Sequence, residues 1–295
     1  MSHVTNEIAS QPGCWAEAIA LAKRAGGALP APGERVAVVG CGTSYNMAVA
    51  YARLREDAGQ GLTDAMPASE VLEHRAYDRY IFISRSGTTT EVYDALRRVP
   101  EGAPTTAIVG VAGSPIAGTA STRLVLDFAA ERSVVQTRFA TSCLVLLSAH
   151  LGNDVRQLAE DGRKALDAPV PDGALQADHF VFLARGWAVG LAQEAALKLK
   201  EAALASTEAY PAMEFRHGPI SVIDGRSLVW SLSAPPPGLA AEISSTGARL
   251  VTPELGPLAE LVKAQRLAVE LAASRGLDPD HPRHLSFSVV LRPGP

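Results

Sequence analysis

The sequence predicts an α/β protein built of two doubly wound parallel-sheet halves in tandem. From Glu34 onward, short runs that are apolar throughout alternate with helical segments, the pattern of strands buried on both faces of a parallel sheet by crossover helices. The layout of "RVAVVGCGTSYNMAVA" at 35–50, a strand, a glycine turn and a helix, returns in "HFVFLARGWAVGLAQ" at 179–193, so the second half repeats the first. A chain of 295 residues, 47% of them hydrophobic, is long enough to fill two cores.

The elements follow in order. Residues 1–33 read as a helical leader. The first half, 34–168, has strands at "RVAVVG", "RYIFIS", "TTAIVG" and "TRLVLDF", with helices in "YNMAVAYARLRED" and "TTEVYDALRRV". A long helical stretch over 137–166 follows and stops at the Pro-rich "DAPVPDGALQ", which places the boundary near Pro169 to Ala177. The second half, 175–295, opens on "HFVFLA", continues through the helix "GLAQEAALKLKEAALAS" and the strand-like "GRSLVWSLS" and "ARLV", and closes with a C-terminal tail. In such folds ligands sit at the carboxyl ends of the strands.

Composition narrows the function. A net charge of −4 argues against a nucleic-acid surface, which carries a basic excess. No run approaches the length of a membrane span, and "MSHVTNEIASQPGCW" lacks the apolar core of a signal peptide. A cytoplasmic protein with no membrane partner is expected. Cys14, Cys41 and Cys143 form no CxxC pair, so neither a metal site nor a disulfide framework is indicated.

Two strand ends carry hydroxyls. "GCGTSY" at 40–45 places Thr43 and Ser44 after two glycines, and "SRSGTTTE" at 84–91 follows an apolar strand directly. Either stretch is explained by turn and N-cap chemistry. Both are equally explained by an anion cradle, in which the N–H groups of a helix start and nearby hydroxyls hold a phosphate. Two such ends in one sheet favour the cradle.

The helix from Gly190 carries Glu194, Lys198 and Glu201 within about 60° of one another, flanked by Leu191, Leu197 and Leu204, with Gln193 and Lys200 opposite. A solvated Glu–Lys pair is the ordinary reading of such spacing. Leucine flanks point instead to charges sunk in an apolar face, where burial and a lysine tune a carboxylate as a general base. His217, in "EFRHGP", stands before Gly-Pro in a turn from which an imidazole can reach a cleft. A structural histidine fits the same position.

These segments together resemble a family. "GCGTSY", "SRSGTTTE", "ERSVVQTRFATS", "ALKLKE", "TEAYPAMEFRHGP" and "GLDPDHPRHLSFSVVL" come in the order found in sugar isomerase (SIS) domain proteins, and "NEIASQP" is similar to their leader. The sequence resembles the isomerase half of glucosamine-6-phosphate synthase and stand-alone amino-sugar-phosphate deaminases over nearly its whole length. The resemblance implies flavodoxin-like SIS halves, a sugar-phosphate ligand and no cofactor. It assigns Ser44, Ser84, Arg85, Ser86 and Thr89 to the 6-phosphate, Arg85 standing where the synthase has glutamine. Thr43, Val134 and Gln136 would line the sugar. Glu201 would be the base between C1 and C2, with Glu194 and Lys198 as its neighbours. His217 would open the ring, reaching the site from the partner subunit of a homodimer.

Two departures bear on chemistry. No glutaminase segment with a terminal catalytic cysteine is found, so ammonia delivery from glutamine is not expected. Phe287 stands where the synthase tail has its imine-forming lysine, and a phenyl ring can neither form an imine nor carry a proton. Proton abstraction at C2 is the step left open. With a free 2-amino group it leads to deamination with isomerisation; with a 2-acetamido group it leads to loss of the C3 hydroxyl, a dehydratase. A non-catalytic sugar-phosphate sensor is the third expectation, distinguished by having no need of Glu201.

Overall fold

The computed structural model describes residues 2–72 and 74–291. The chain begins with two helices, α1 (His3–Ala9) and α2 (Gln11–Ala22). Ser2 caps α1, its hydroxyl accepting the Thr5 N–H at 3.2 Å.

The chain then forms β1 (Val36–Gly40), α3 (Thr43–Asp57), β2 (Thr63–Pro67), β3 (Arg79–Ser84), α4 (Thr90–Arg97), β4 (Thr105–Val109), α5 (Pro115–Thr119), β5 (Thr122–Val125) and α6 (Arg138–His150). All strand pairs are parallel, in the order β2-β1-β3-β4-β5. That is a doubly wound sheet whose order reverses between β1 and β3. Every residue of β1 and β4 is buried, as strands covered on both faces require. One core face gathers Val39, Phe82, Val92, Leu96, Val109 and Ile116.

The second series is α7 (Leu158–Asp167), β6 (His179–Ala184), α8 (Ala188–Ala203), β7 (Ser206–Pro211), β8 (Ser227–Ser231), α9 (Leu239–Ser245), β9 (Arg249–Val251) and α10 (Pro257–Ser274). Its sheet is again parallel, in the order β7-β6-β8-β9. The strand, helix and edge strand β6-α8-β7 repeat β1-α3-β2, which makes the two predicted halves a structural fact. Helix α8 packs on β6, β7 and α10.

Three sequence expectations change. The single long helix over 137–166 is two helices, because the chain turns at Gly152, whose φ of +78° is a left-handed conformation that ends α6. β2 and β7 were not foreseen. Both are edge strands, with partly exposed burial patterns and a terminal proline, so neither shows an apolar run. Finally, the compact units are discontinuous, unlike the linear partition at 1–33, 34–168 and 175–295. Residues 13–132, 138–155 and the tail from Ser286 group with the five-stranded sheet, whereas residues up to Pro12, 133–137 and 156–285 group with the four-stranded sheet. Helix α7 goes with the latter because it packs on α10, where Arg266 Nη1 donates to the Ala165 carbonyl at 2.9 Å.

Candidate functional site

The five-stranded unit brings its two hydroxyl turns to neighbouring strand ends. β1 and β3 pair directly, Val39 opposite Phe82, so Thr43 and Ser44 after β1, and Ser84 at the end of β3 with the turn that runs on to Thr89, flank the point where strand order reverses. Ligand crevices of doubly wound sheets form there. A side chain at Gly40 would place its Cβ 2.7 Å from the Ser44 carbonyl carbon. This glycine therefore serves the close approach of α3 to its own strand. Gly87, at φ +65°, would drive a Cβ to 2.0 Å from Ser114 Oγ, so the second turn also depends on glycine.

Thr43, Ser44, Ser84, Arg85 and Ser86 are all buried, while Thr88 and Thr89 are partly exposed. Ser84 Oγ accepts the Gly87 N–H at 3.2 Å, and Ser86 Oγ accepts the Thr88 N–H at 3.2 Å. Arg85 is held on two sides. Its Nη1 lies 3.3 Å from Glu131 Oε2, both side chains almost fully buried, and its Nη2 donates to the Phe287 carbonyl at 2.8 Å. The Phe287 ring lies 3.9 Å from the guanidinium carbon, within cation–π range. Cys41, beside the first turn, has its thiol pushed up by burial. It stays protonated there, and no disulfide joins it to Cys14 or Cys143.

The four-stranded unit carries the charged stripe of α8. Lys198 Nζ sits 3.2 Å from Glu194 Oε1 and 2.5 Å from Glu201 Oε2. Glu194 and Lys198 are each 1% exposed, but Glu201 is 19% exposed. Burial alone would discharge the lysine; the two carboxylates outweigh it and hold the Lys198 pKa above its ordinary value. The triad thus ends in one carboxylate that is ion-paired on its inner side and accessible on its outer side, the arrangement a general base needs. A second buried carboxylate, Glu260, is a contrast. It accepts the Trp230 indole N–H at 3.0 Å and the Glu254 and Leu255 amides, a closed structural network.

Glu201 also lines a cavity of about 120 Å³ with Leu204, Leu277, Asp278, His281 and Pro282. His281 Nδ1 is 2.7 Å from Asp278 Oδ2, and that hydrogen bond pushes the imidazole pKa up. His217 is exposed after a 3-10 turn over Glu214–Arg216, its N–H donating to the Glu214 carbonyl at 2.9 Å. Among the described residues its ring has no hydrogen bond to the triad. Val134 and Gln136 lie on the segment 133–137, which the leader holds: Ser133 hydrogen-bonds Glu7 through its hydroxyl and its N–H, and donates to the Val135 carbonyl at 2.9 Å. The leader is fixed in turn by Gln11 Nε2, which donates to Gln265 Oε1 at 2.7 Å.

The structure therefore unites the hydroxyl residues with one another and the α8 triad with itself. Glu131 and Ser288 were not singled out from the sequence, and Thr88 only as part of the hydroxyl stretch at 84–91. Glu131 and Ser288 come from positions 46 and 202 residues away from Arg85 and Ser86, a separation no local pattern encodes.

Comparison with known proteins agrees with this architecture. Residues 31–151 match the SIS domain. The chain is 31% identical to a glutamine–fructose-6-phosphate aminotransferase (isomerizing) of Methanothermobacter thermautotrophicus, over 88% of its own length and 52% of that protein. It spans about half the length of the curated relatives it matches. A glucosamine-6-phosphate deaminase from Thermotoga maritima superposes with a TM-score of 0.84 at 28% identity, covering 98% of this chain and all of that one. A tagatose-6-phosphate ketose/aldose isomerase from Escherichia coli shares the fold, with a TM-score of 0.75 at 19% identity and 95% and 97% coverage.

Proposed function

We propose that this chain, which carries a SIS domain and is related to sugar-phosphate isomerase-type proteins, is an enzyme that deaminates and isomerises a 2-amino hexose 6-phosphate of the glucosamine 6-phosphate type. The observation that carries this reading is the α8 triad, in which a cationic Lys198 braces an accessible Glu201 carboxylate. Glu201 removes the C2 proton of the opened aldose, and the electron pair moves toward the C1 carbonyl to give an enol. Return of the proton at C1 leaves a ketose imine. Water adds to that imine and expels ammonia, giving fructose 6-phosphate.

Ser44, Ser84, Ser86 and Thr89 hold the phosphate in this reading, Thr43, Val134 and Gln136 line the sugar, and His217 of a homodimer partner opens the ring. The likeness to the Thermotoga maritima deaminase over nearly the full chain supports deamination. Phe287 counts against a synthase-type imine with a ketose, since no amine stands at that tail position, and leaves deamination and the lyase route both open. The test is proton NMR in D2O with glucosamine 6-phosphate and, separately, N-acetylglucosamine 6-phosphate. Loss of the C2 signal with ammonia and fructose 6-phosphate is expected from the first sugar. A dehydrated product from the acetylated sugar would replace the deaminase reading with a lyase, and saturable binding without C2 exchange would replace it with a sensor.

A further inference from the structure

The described tail, residues 286–291, fills the turn at 84–90. Ser288 Oγ accepts from Ser86 Oγ at 3.0 Å and from Thr88 Oγ1 at 2.9 Å. The Val289 carbonyl accepts the Thr90 N–H, the first backbone donor of α4, at 3.1 Å. The Leu291 N–H donates to Thr90 Oγ1 at 2.9 Å. Arg85 completes the set, donating to the Phe287 carbonyl while its guanidinium covers the Phe287 ring. Two hydroxyls and a helix-start N–H are donors suited to phosphate. Each of them meets a neutral oxygen of the tail.

We propose that the tail is an internal competitor for the anion this turn binds, latched by the Arg85–Phe287 couple and displaced when phosphate takes the Ser86 and Thr88 hydroxyls. The inference rests on the sugar-phosphate reading of the turn and gives Arg85 a different task from the one expected. Anchored by Glu131 and committed to the tail, Arg85 acts on the anion through Phe287 and is a positioning residue. Displacement is favourable because a charged phosphate oxygen is a stronger acceptor than a hydroxyl or a carbonyl. The latch lowers apparent affinity in proportion to the fraction of molecules whose tail is open.

The experiment combines hydrogen exchange of the tail amides with calorimetric titration of inorganic phosphate into the full chain, for the wild type, Phe287→Ala and Ser288→Ala. Phosphate should speed tail exchange in the wild type. Phe287→Ala should speed it without phosphate and tighten the phosphate Kd about three- to tenfold, and Ser288→Ala, which keeps the latch, should tighten it less. Slower tail exchange on adding phosphate would make the tail a co-ligand and overturn the competition while leaving the turn an anion site. A freed tail with unchanged or weaker phosphate binding would do the same. Tail exchange unaltered by Phe287→Ala would overturn the latch. Failure of all three proteins to bind phosphate would overturn the competition together with the sugar-phosphate reading.

Discussion

At the scale of single residues, the proposed chemistry rests on Glu201 and its lysine. Glu201→Gln keeps the size of the side chain and removes its basicity. Turnover of glucosamine 6-phosphate should fall by about 10²-fold or more, with sugar-phosphate binding unchanged by calorimetry; surviving turnover would move the base elsewhere. Lys198→Met tests the support beneath it. Taking the cation from between two carboxylates, one of them buried, should cost about 3 kcal/mol in a denaturant melt. Because the folded Lys198 pKa lies above the unfolded value, its contribution is fully present below the unfolded lysine range and is lost as pH rises through the folded one. The stability gap between wild type and Lys198→Met should therefore hold level across about pH 6 to 9, and a gap that closed within that window would contradict the assignment of charge.

Among the elements, the strand-to-helix turns decide how hydroxyls are presented. Gly42 and Gly87 both have positive φ, +53° and +65°, but a Cβ at Gly42 meets nothing within 4 Å whereas one at Gly87 collides with Ser114. Gly42→Ala should cost about 1 kcal/mol from backbone strain alone. Gly87→Ala adds a steric clash and should cost about 2 kcal/mol or more, with loss of phosphate affinity as the turn shifts. Equal thermal shifts for the two variants would mean that the turn tolerates movement of Ser114. Helix α1 has an analogous task. Its Glu7 fixes Ser133 and with it the segment carrying Val134 and Gln136, which gives the leader motif a physical reason.

For the whole molecule, the prediction concerns assembly. His217 is exposed, and the proposed reading has it serve a partner subunit. If it does so in a homodimer, Glu201→Gln and His217→Asn are inactive separately, but mixed dimers contain one complete site. Equal mixing after subunit exchange should restore about a quarter of wild-type turnover. A mixture that stays inactive while light scattering reports mixed dimers would place His217 and Glu201 in service of the same subunit's chemistry. Among the described residues no helix is long and apolar enough to cross a membrane.

The sequence by itself determined the alternation of strand and helix, the repeat of the first half by the second, the two hydroxyl strand ends and the charged stripe of α8. These are properties of local periodicity and composition, since burial on both faces or on one helical arc writes itself directly into residue order. It did not determine the edge strands β2 and β7, whose half-exposed residues carry no apolar run, nor the break at Gly152, which a continuous helical pattern conceals. Only the tertiary structure decided that Lys198 stays charged, because burial and two carboxylates act on it in opposite directions and their balance depends on distance. Only it decided where the tail goes. Arg85 and Phe287 are both visible in the sequence, one where a glutamine and the other where a lysine is expected. That they answer each other follows from a contact across 202 residues, formed by the folding of the chain rather than by any pattern along it.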